Sequence, residues 1–308
     1  MSTSVLYDAP GPKARQRSRI ISVIGIIVIA AGLVALIFAL GAPKTSVNGA
    51  VQPGLWDPTR WDVFSDRQVW RLLGVGAVNT LRMAAVAAVI ALALGVLFSF
   101  GRASENTWIR RPTTILLEFV RGMPVLLMML FILLVFSTGS FWAGVAALSL
   151  YNGAIIGEAL RAGIKSLPRG QREAGLAVGL TPIATRFRIE FPQAFRQMLP
   201  IIIAQLVVLL KDTSLSFVVG YDELLRTGVY NLPGFFGNRY TFSFFFVVLA
   251  IYLTMNLLLS WLARVIARRT GSKAGKVTPA DVTVVDSSLA GSGTAGGGLG
   301  GGHGTGSH

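Results

Sequence analysis

Gly122–Gly157 reads GMPVLLMMLFILLVFSTGSFWAGVAALSLYNGAIIG and contains no Asp, Glu, Lys, Arg or His. A helix needs about 20 apolar residues to cross a bilayer core. The run is too long for one span and long enough for two. Ser137-Thr138-Gly139-Ser140 interrupts it, a cluster that favours a turn over a continued helix. The stretch predicts a hairpin of spans, one from Thr113 to Phe136 and one from Phe141 to Leu160.

Further spans lie on both sides. Ile20–Ala42 is uncharged and follows Lys13, Arg15, Arg17 and Arg19. It is longer than a signal-peptide core and lacks a small-residue cleavage site, so it reads as an uncleaved helix. Met83–Gly101, extended backwards past Arg82, forms the second span, and Thr241–Ala263 the last. Charged residues make up 14% of the 308, against about 25% in a soluble domain. Mean hydropathy is +0.62. The chain reads as an all-α polytopic membrane protein with about six transmembrane helices.

The fifth span is decided by two charges. Gln197–Leu210 is uncharged but too short to cross alone, and Lys211-Asp212 separates it from uncharged Thr213–Tyr221. A span exists here only if both charges lie within it. Intramembrane charge is costly, which makes the pair a functional candidate.

The net charge of +14 is mostly a topology signal. Basic residues concentrate in 1–19, 101–112, 161–196 and 264–276. Six spans put all four segments on one side, which the positive-inside rule assigns to the cytoplasm, with both termini. Nucleic acid is not an expected partner. The chain has no Cys, and its two His, 303 and 308, fall in a Gly-rich end that cannot frame a metal site. No metal and no catalytic residue is expected. The expected organisation is a basic tail over 1–19, an added helix over 20–42, an outer segment over 43–72, a transmembrane core over 73–265 and a disordered cytoplasmic tail over 266–308. Trp56 and Trp61 in the outer segment suit the headgroup level.

The long basic loop, 163–196, predicts two short helices with a tight joint. Leu167-Pro168-Arg169-Gly170 reads as a turn, with Glu173 in the first turn of the helix after it. Gly179 ends that helix, Thr181 caps the next, and Pro182 opens it. The second helix is expected to run to Glu190 and stop before Pro192.

This loop resembles the Glu-Ala-Ala coupling loop of ABC-importer permeases. Glu173-Ala174 is followed by Gly179 at the family spacing, then by Ile189 and Pro192. Gly175 stands where the family has a second Ala, and Phe191 where it has Leu. Three further stretches are similar to permeases of polar amino-acid uptake. They are Arg121-Gly122-Met123-Pro124, with Met123 in place of Thr; Gly157–Gly163 with Gly170-Gln171; and Lys211-Asp212-Thr213-Ser214-Leu215. The resemblance covers roughly residues 70–265. The added first helix and long outer segment are similar to actinobacterial glutamate-uptake permeases.

The resemblance implies a five-helix importer core plus an N-terminal helix in a bacterial plasma membrane. It implies two ATP-binding subunits, an extracytoplasmic solute-binding protein and a second permease chain. The unusual segment 43–72 favours a heterodimer over a homodimer. The permease binds no cofactor, and ATP with Mg belongs to the partner ATPase; accordingly, no phosphate-loop motif occurs in the chain. The implied substrate is a polar amino acid, with glutamate favoured over glutamine and aspartate. Gly170, Arg172, Glu173, Ala174, Gly179, Ile189 and Pro192 are the expected ATPase-coupling residues. Arg121, Lys211, Asp212, Thr213 and Ser214 are the expected substrate residues. A zwitterion needs a cation for its carboxylate, which Arg121 suits, and an anion for its ammonium, which Asp212 suits. Structural alternatives stay open. Glu118–Arg121 and Glu158–Arg161 are spaced to pair on their own helices, Arg121 can snorkel, and Lys211 can pair elsewhere. Asp222-Glu223 reads as a solvated outer charge, and Arg239 as an interface anchor or a binding-protein contact. A secondary transporter is the rival function; it would usually show internal repeats and broken half-helices, and no convincing repeat is present. An intramembrane enzyme lacks a nucleophile–base set.

Overall fold

The computed structural model describes residues 11–45, 49 and 51–270. The expectations for residues 1–10 and for the Gly-rich end from 271, with His303 and His308, lie outside the described residues. Five helices are long and apolar enough to cross a membrane, and a bent helix pair makes a sixth candidate. The only strands among the described residues are β1 (Lys44–Thr45) and β2 (Val51–Gln52), paired antiparallel in the outer segment.

The first helix, α1 (Pro12–Gly41), starts earlier than expected. Proline is tolerated in a first helical turn because its missing N–H would have no partner there. Lys13, Arg15, Arg17 and Arg19 therefore lie on the helix rather than in a tail. Among the described residues the flanks of α1 face no other helix: its large apolar side chains from Ile20 to Phe38 are exposed. Its far end is held by the segment that follows. Trp56 Nε1 donates to the Ile37 carbonyl at 3.0 Å, and the Leu55 N–H to the Leu40 carbonyl at 2.9 Å.

The bundle centre is α2 (Arg67–Ala103) against α5 (Ser140–Ser166). Their contact is close because glycine forms it. A Cβ on Gly153 would lie 2.9 Å from Leu94 Cβ, and one on Gly157 2.9 Å from Phe98 Cβ. Between lipid-covered helices there is little hydrophobic driving force, so small residues that let backbones approach become the glue.

The third span differs from expectation. Instead of one helix over 113–136, α3 (Thr107–Gly122) and α4 (Val125–Phe136) meet at a bend of 107°. Pro124 has no N–H and forces the preceding residue out of the helical region. Met123 accordingly sits at φ −90, ψ 130. Exposed Trp108, Ile115 and Phe119 share one face of α3, and Arg110, Glu118 and Arg121 lie toward the other.

After α5 come α6 (Arg169–Ala177) and α7 (Pro182–Thr185), and then α8 (Phe191–Asp212) and a 3₁₀ turn over Thr213–Phe217. The second loop helix does not stop before Pro192. A π turn over Arg186–Glu190 joins α7 to α8, with the Phe191 N–H donating to the Arg186 carbonyl. That widened turn places Pro192 where its missing donor is tolerated. Pro182–Phe217 thus forms a single span candidate that contains Lys211 and Asp212.

The far end of the bundle carries a second core of Phe64, Leu73, Leu224, Leu232 and Phe244. It joins the outer segment to a π turn (Arg226–Asn231), α9 (Leu232–Phe236) and α10 (Thr241–Thr270). In the outer segment, Asp57 accepts from the Thr59 N–H at 2.9 Å and its hydroxyl at 2.8 Å. The Thr59 N–H first, and then the hydroxyl, hold its carboxyl below the ordinary carboxylate range.

Candidate coupling surface and substrate site

The two-helix loop is built as a stiff body. Thr181 caps α7 by accepting from the Ala184 N–H at 3.3 Å. Gly179 adopts φ +84, a left-handed conformation that glycine takes without a Cβ penalty. The Leu180 N–H returns to the Gly175 carbonyl at 3.1 Å. Gly175 explains its own departure from the family pattern: a Cβ there would lie 2.5 Å from Thr185 Cγ2 and 2.9 Å from Ile189 Cδ1. Glu173 falls in the second turn of α6, not the first, because the helix already begins at Arg169.

The loop is fastened to the α2–α3 turn. Arg186 Nη1 donates to the Ala103 carbonyl at 2.8 Å, and Arg172 pairs with Glu105 at 2.8 Å. Phe187 stacks on Phe100, ring centroids 4.1 Å apart. Around α6, buried Gly175 marks the packed face. At 100° per residue, Arg169, Arg172, Glu173 and Leu176 share a second face. Gly170, Ala174, Ala177 and Val178 share the third, which is exposed. Beyond the Gly179 joint that surface continues in Ile183, 71% exposed.

The rod from Pro182 to Lys211 is helical throughout. At 1.5 Å per residue it is roughly 44 Å long. It links the loop directly to Lys211-Asp212-Thr213-Ser214. Lys211 is exposed and Asp212 half-buried, and neither has an ion-pair partner among the described residues. Two hydroxyls expected at the site are used locally. Thr213 Oγ1 donates to the Leu210 carbonyl at 2.6 Å, and Ser214 Oγ to the Lys211 carbonyl at 2.9 Å. Seven residues nearer the loop than Asp212, Gln205 Nε2 donates to Asn152 Oδ1 at 2.8 Å, tying α8 to α5.

Arg121 lies elsewhere. It ends α3 at the bend and lines a cavity of about 450 Å³ with Glu118, Gly122, Tyr151 and Ile155. Ser216, just past the Lys211–Ser214 run, packs near Gly144. The Gly144 and Tyr151–Ile155 levels are roughly 10–16 Å apart along α5. The single straight span expected over 113–136 would have carried Arg121 within it; the 107° bend instead leaves it at the joint.

The ion pairs are also redistributed. Glu158 pairs with Arg161, as its spacing suggests, but Glu118 does not pair with Arg121. Arg102 from α2 takes Glu118 at 2.8 Å and Glu158 at 2.7 Å. In the sequence Arg102 is only one cation of the basic 101–112 segment. Glu223, expected as a solvated outer charge, is fully buried. Glu223 accepts from the Leu225 and Arg226 N–H groups, both at 2.7 Å, and from the Tyr252 hydroxyl at 2.5 Å. Burial pushes its carboxyl above the ordinary range, against the opposing pull of these donors. A Glu two residues before backbone donors is the signal that could have marked it as a cap. Arg239 is exposed, pairs with Asp62 at 3.7 Å and lies over the Tyr240 ring.

Comparison with known proteins gives the setting. Residues 90–272 match the family model described as binding-protein-dependent transport system inner membrane component. The chain is 36% identical over 225 residues to the glutamate transport system permease protein GluD of Corynebacterium glutamicum, covering 70% of this chain and 81% of the relative. It is 32% identical over 205 residues to the glutamine transport system permease protein GlnP of Escherichia coli, covering 64% and 92%. Among solved structures, an amino acid ABC transporter crystallised with histidines matches with TM-score 0.61 and 28% identity, over 68% of this chain and 98% of that one. The MetNI methionine ABC transporter, at 20% identity and TM-score 0.57, shares the fold. The chain belongs to the binding-protein-dependent transport system inner membrane components, the permease subunits of ABC importers.

Proposed function

We propose that this permease carries an acidic amino acid, glutamate foremost, into a bacterial cytoplasm. It does so with two ATP-binding subunits, a solute-binding protein and a second, different permease chain. The observation that carries the reading is the continuous rod from Pro182 to Phe217. One end belongs to the coupling loop and the other bears Lys211 and Asp212. Closure of the ATPase pair, pressing on the exposed face of Gly170, Ala174, Val178 and Ile183, displaces the rod and with it the charged pair. Substrate access then alternates because the packed bundle has two discrete arrangements. Glu173, Gly179, Ile189 and Pro192 shape the loop, and Arg172 fastens it.

In this reading Asp212 meets the substrate ammonium and Lys211 a carboxylate. Arg121 with Tyr151 forms a second station nearer the coupling loop. The similarity to GluD supports glutamate, and Lys211, which has no ion-pair partner among the described residues, suits an acidic substrate. The basic loops support a cytoplasmic side for both termini. The test is uptake of labelled glutamate by vesicles holding the copurified complex, with unlabelled glutamate, aspartate, glutamine and arginine as competitors. The reading requires competition by glutamate above glutamine and none by arginine. It also requires Asp212→Asn to abolish uptake while the complex still assembles. Normal uptake by that variant removes Asp212 from the site.

A further inference from the structure

A cavity of about 660 Å³ opens between the α2–α3 turn, the end of α5 and α6. It lies apart from the Lys211–Ser214 end of the rod and from the exposed small-residue face of α6. Its residues come from the last turn of α2, the first turn of α3, the last turns of α5 and the start of the rod. That is where the span candidates Arg67–Ala103 and Ser140–Ser166 end and Pro182–Phe217 begins. Seven basic side chains and three carboxylates line it. Arg102, Arg161, Arg172 and Arg186 are in ion pairs. Arg110, Lys165 and Arg169 have no ion-pair partner among the described residues, against one unpaired carboxylate, Glu173.

Two further features bear on what would fill it. The first turn of α6 has neither an acidic residue nor a side-chain cap, and it opens with Arg169. That is the reverse of what a helix dipole favours unless an anion is supplied from outside. On α3, the opposite face from Arg110 presents Trp108, 90% exposed, with Ile115 and Phe119 behind it. An amphipathic helix with a Trp at its start and cations beside it sits at headgroup depth with its apolar face among acyl chains.

We propose that this cavity binds the phosphate headgroup of an anionic phospholipid from the inner leaflet, with Arg110, Lys165 and Arg169 as its cationic partners. Basic pockets between spans on the cytoplasmic side are suited to such headgroups. The lipid would brace the coupling loop against the α2–α3 turn beside the Arg172–Glu105 pair.

The test uses the full chain with its copurifying subunits, in nanodiscs of phosphatidylcholine alone or mixed with phosphatidylglycerol. Native mass spectrometry then counts retained lipid. Wild type is expected to keep phosphatidylglycerol in preference to phosphatidylcholine. Arg110→Gln/Lys165→Gln/Arg169→Gln should lose that preference by about tenfold or more. Arg15→Gln/Arg17→Gln/Arg19→Gln, which removes equal charge from α1, should keep it. Arg110→Lys/Arg169→Lys should retain most of it. Equal retention of the two lipids by wild type overturns the proposal even if no variant assembles. So does equal loss in the α1 variant, or full displacement of the lipid by inorganic phosphate, which would mark a site for free anions.

Discussion

Arg102 on α2 holds two glutamates at once, Glu158 of α5 at 2.7 Å and Glu118 of α3 at 2.8 Å. One side chain thus joins three helices where α2 ends. The two bonds are not equivalent, because Glu158 is 25% exposed and Glu118 57%. An exposed pair contributes about 0–1 kcal/mol, whereas breaking a part-buried one costs more. Glu118→Gln is expected to change stability by less than about 0.5 kcal/mol. Glu158→Gln, which also loses Arg161, should cost about 1–3 kcal/mol. Thermal unfolding of the two variants in one detergent checks the order, and equal shifts would contradict it.

Gly175 and Thr185 compete for the same space at the loop joint. Gly175→Ala should destabilise the loop by about 1–3 kcal/mol through overpacking and lower uptake. Thr185→Ser removes the methyl that a new Cβ would meet 2.5 Å away. The double variant Gly175→Ala/Thr185→Ser should recover most of the loss. A double-mutant cycle with no coupling between the positions would show that the clash is relieved elsewhere.

Gly179 tests the joint itself. At φ +84 any other residue is strained by about 1–2 kcal/mol. Nothing lies within 4 Å of a Cβ built there, so bulk alone is not the obstacle. Gly179→Leu should reduce uptake severely. Gly179→Asn, whose side chain tolerates the left-handed region, should retain more. Equal uptake in both, measured beside ATP hydrolysis, would separate backbone strain from contact with the ATPase.

Glu223 sets a pH dependence. Its carboxyl is pushed upward by burial, so the folded state holds the proton more tightly than the unfolded chain. Between the unfolded value of about 4.3 and the raised folded value, folding binds protons, so stability falls as pH rises. Glu223→Gln has no such titration. Its melting temperature relative to wild type should therefore climb as pH increases through that window. A difference independent of pH would mean the carboxyl is not raised.

How far the sequence reached follows from the kind of interaction involved. The spans were legible because apolar length is a local property, as in Ile20–Ala42. The loop was legible because Gly179, Thr181 and Pro182 act on their own backbone. The bend at Pro124 was not. A proline inside an apolar run can kink a helix slightly or break it, and packing decides which. Glu118 illustrates a second limit. Its neighbour Arg121 was visible at i+3, but the partner it takes, Arg102, comes from another helix. Glu223 illustrates a third, since exposure of a charge depends on what folds over it, here Tyr252. For the substrate residues, spacing brought Lys211 and Asp212 to attention, but it could not show that Thr213 and Ser214 spend their hydroxyls on their own helix.

The isolation of α1 bears on how the protein is made. Its backbone is satisfied within the helix, and its flanks are apolar all round. It can therefore leave the translocon into lipid without waiting for any later segment. In contrast, α5 carries Asn152, Glu158 and a row of glycines that need α2 and α8 beside them. Since α1 precedes the five core spans in the chain, the cations of its first turns fix its direction of insertion before theirs. The less autonomous helices are then threaded against a membrane orientation already set.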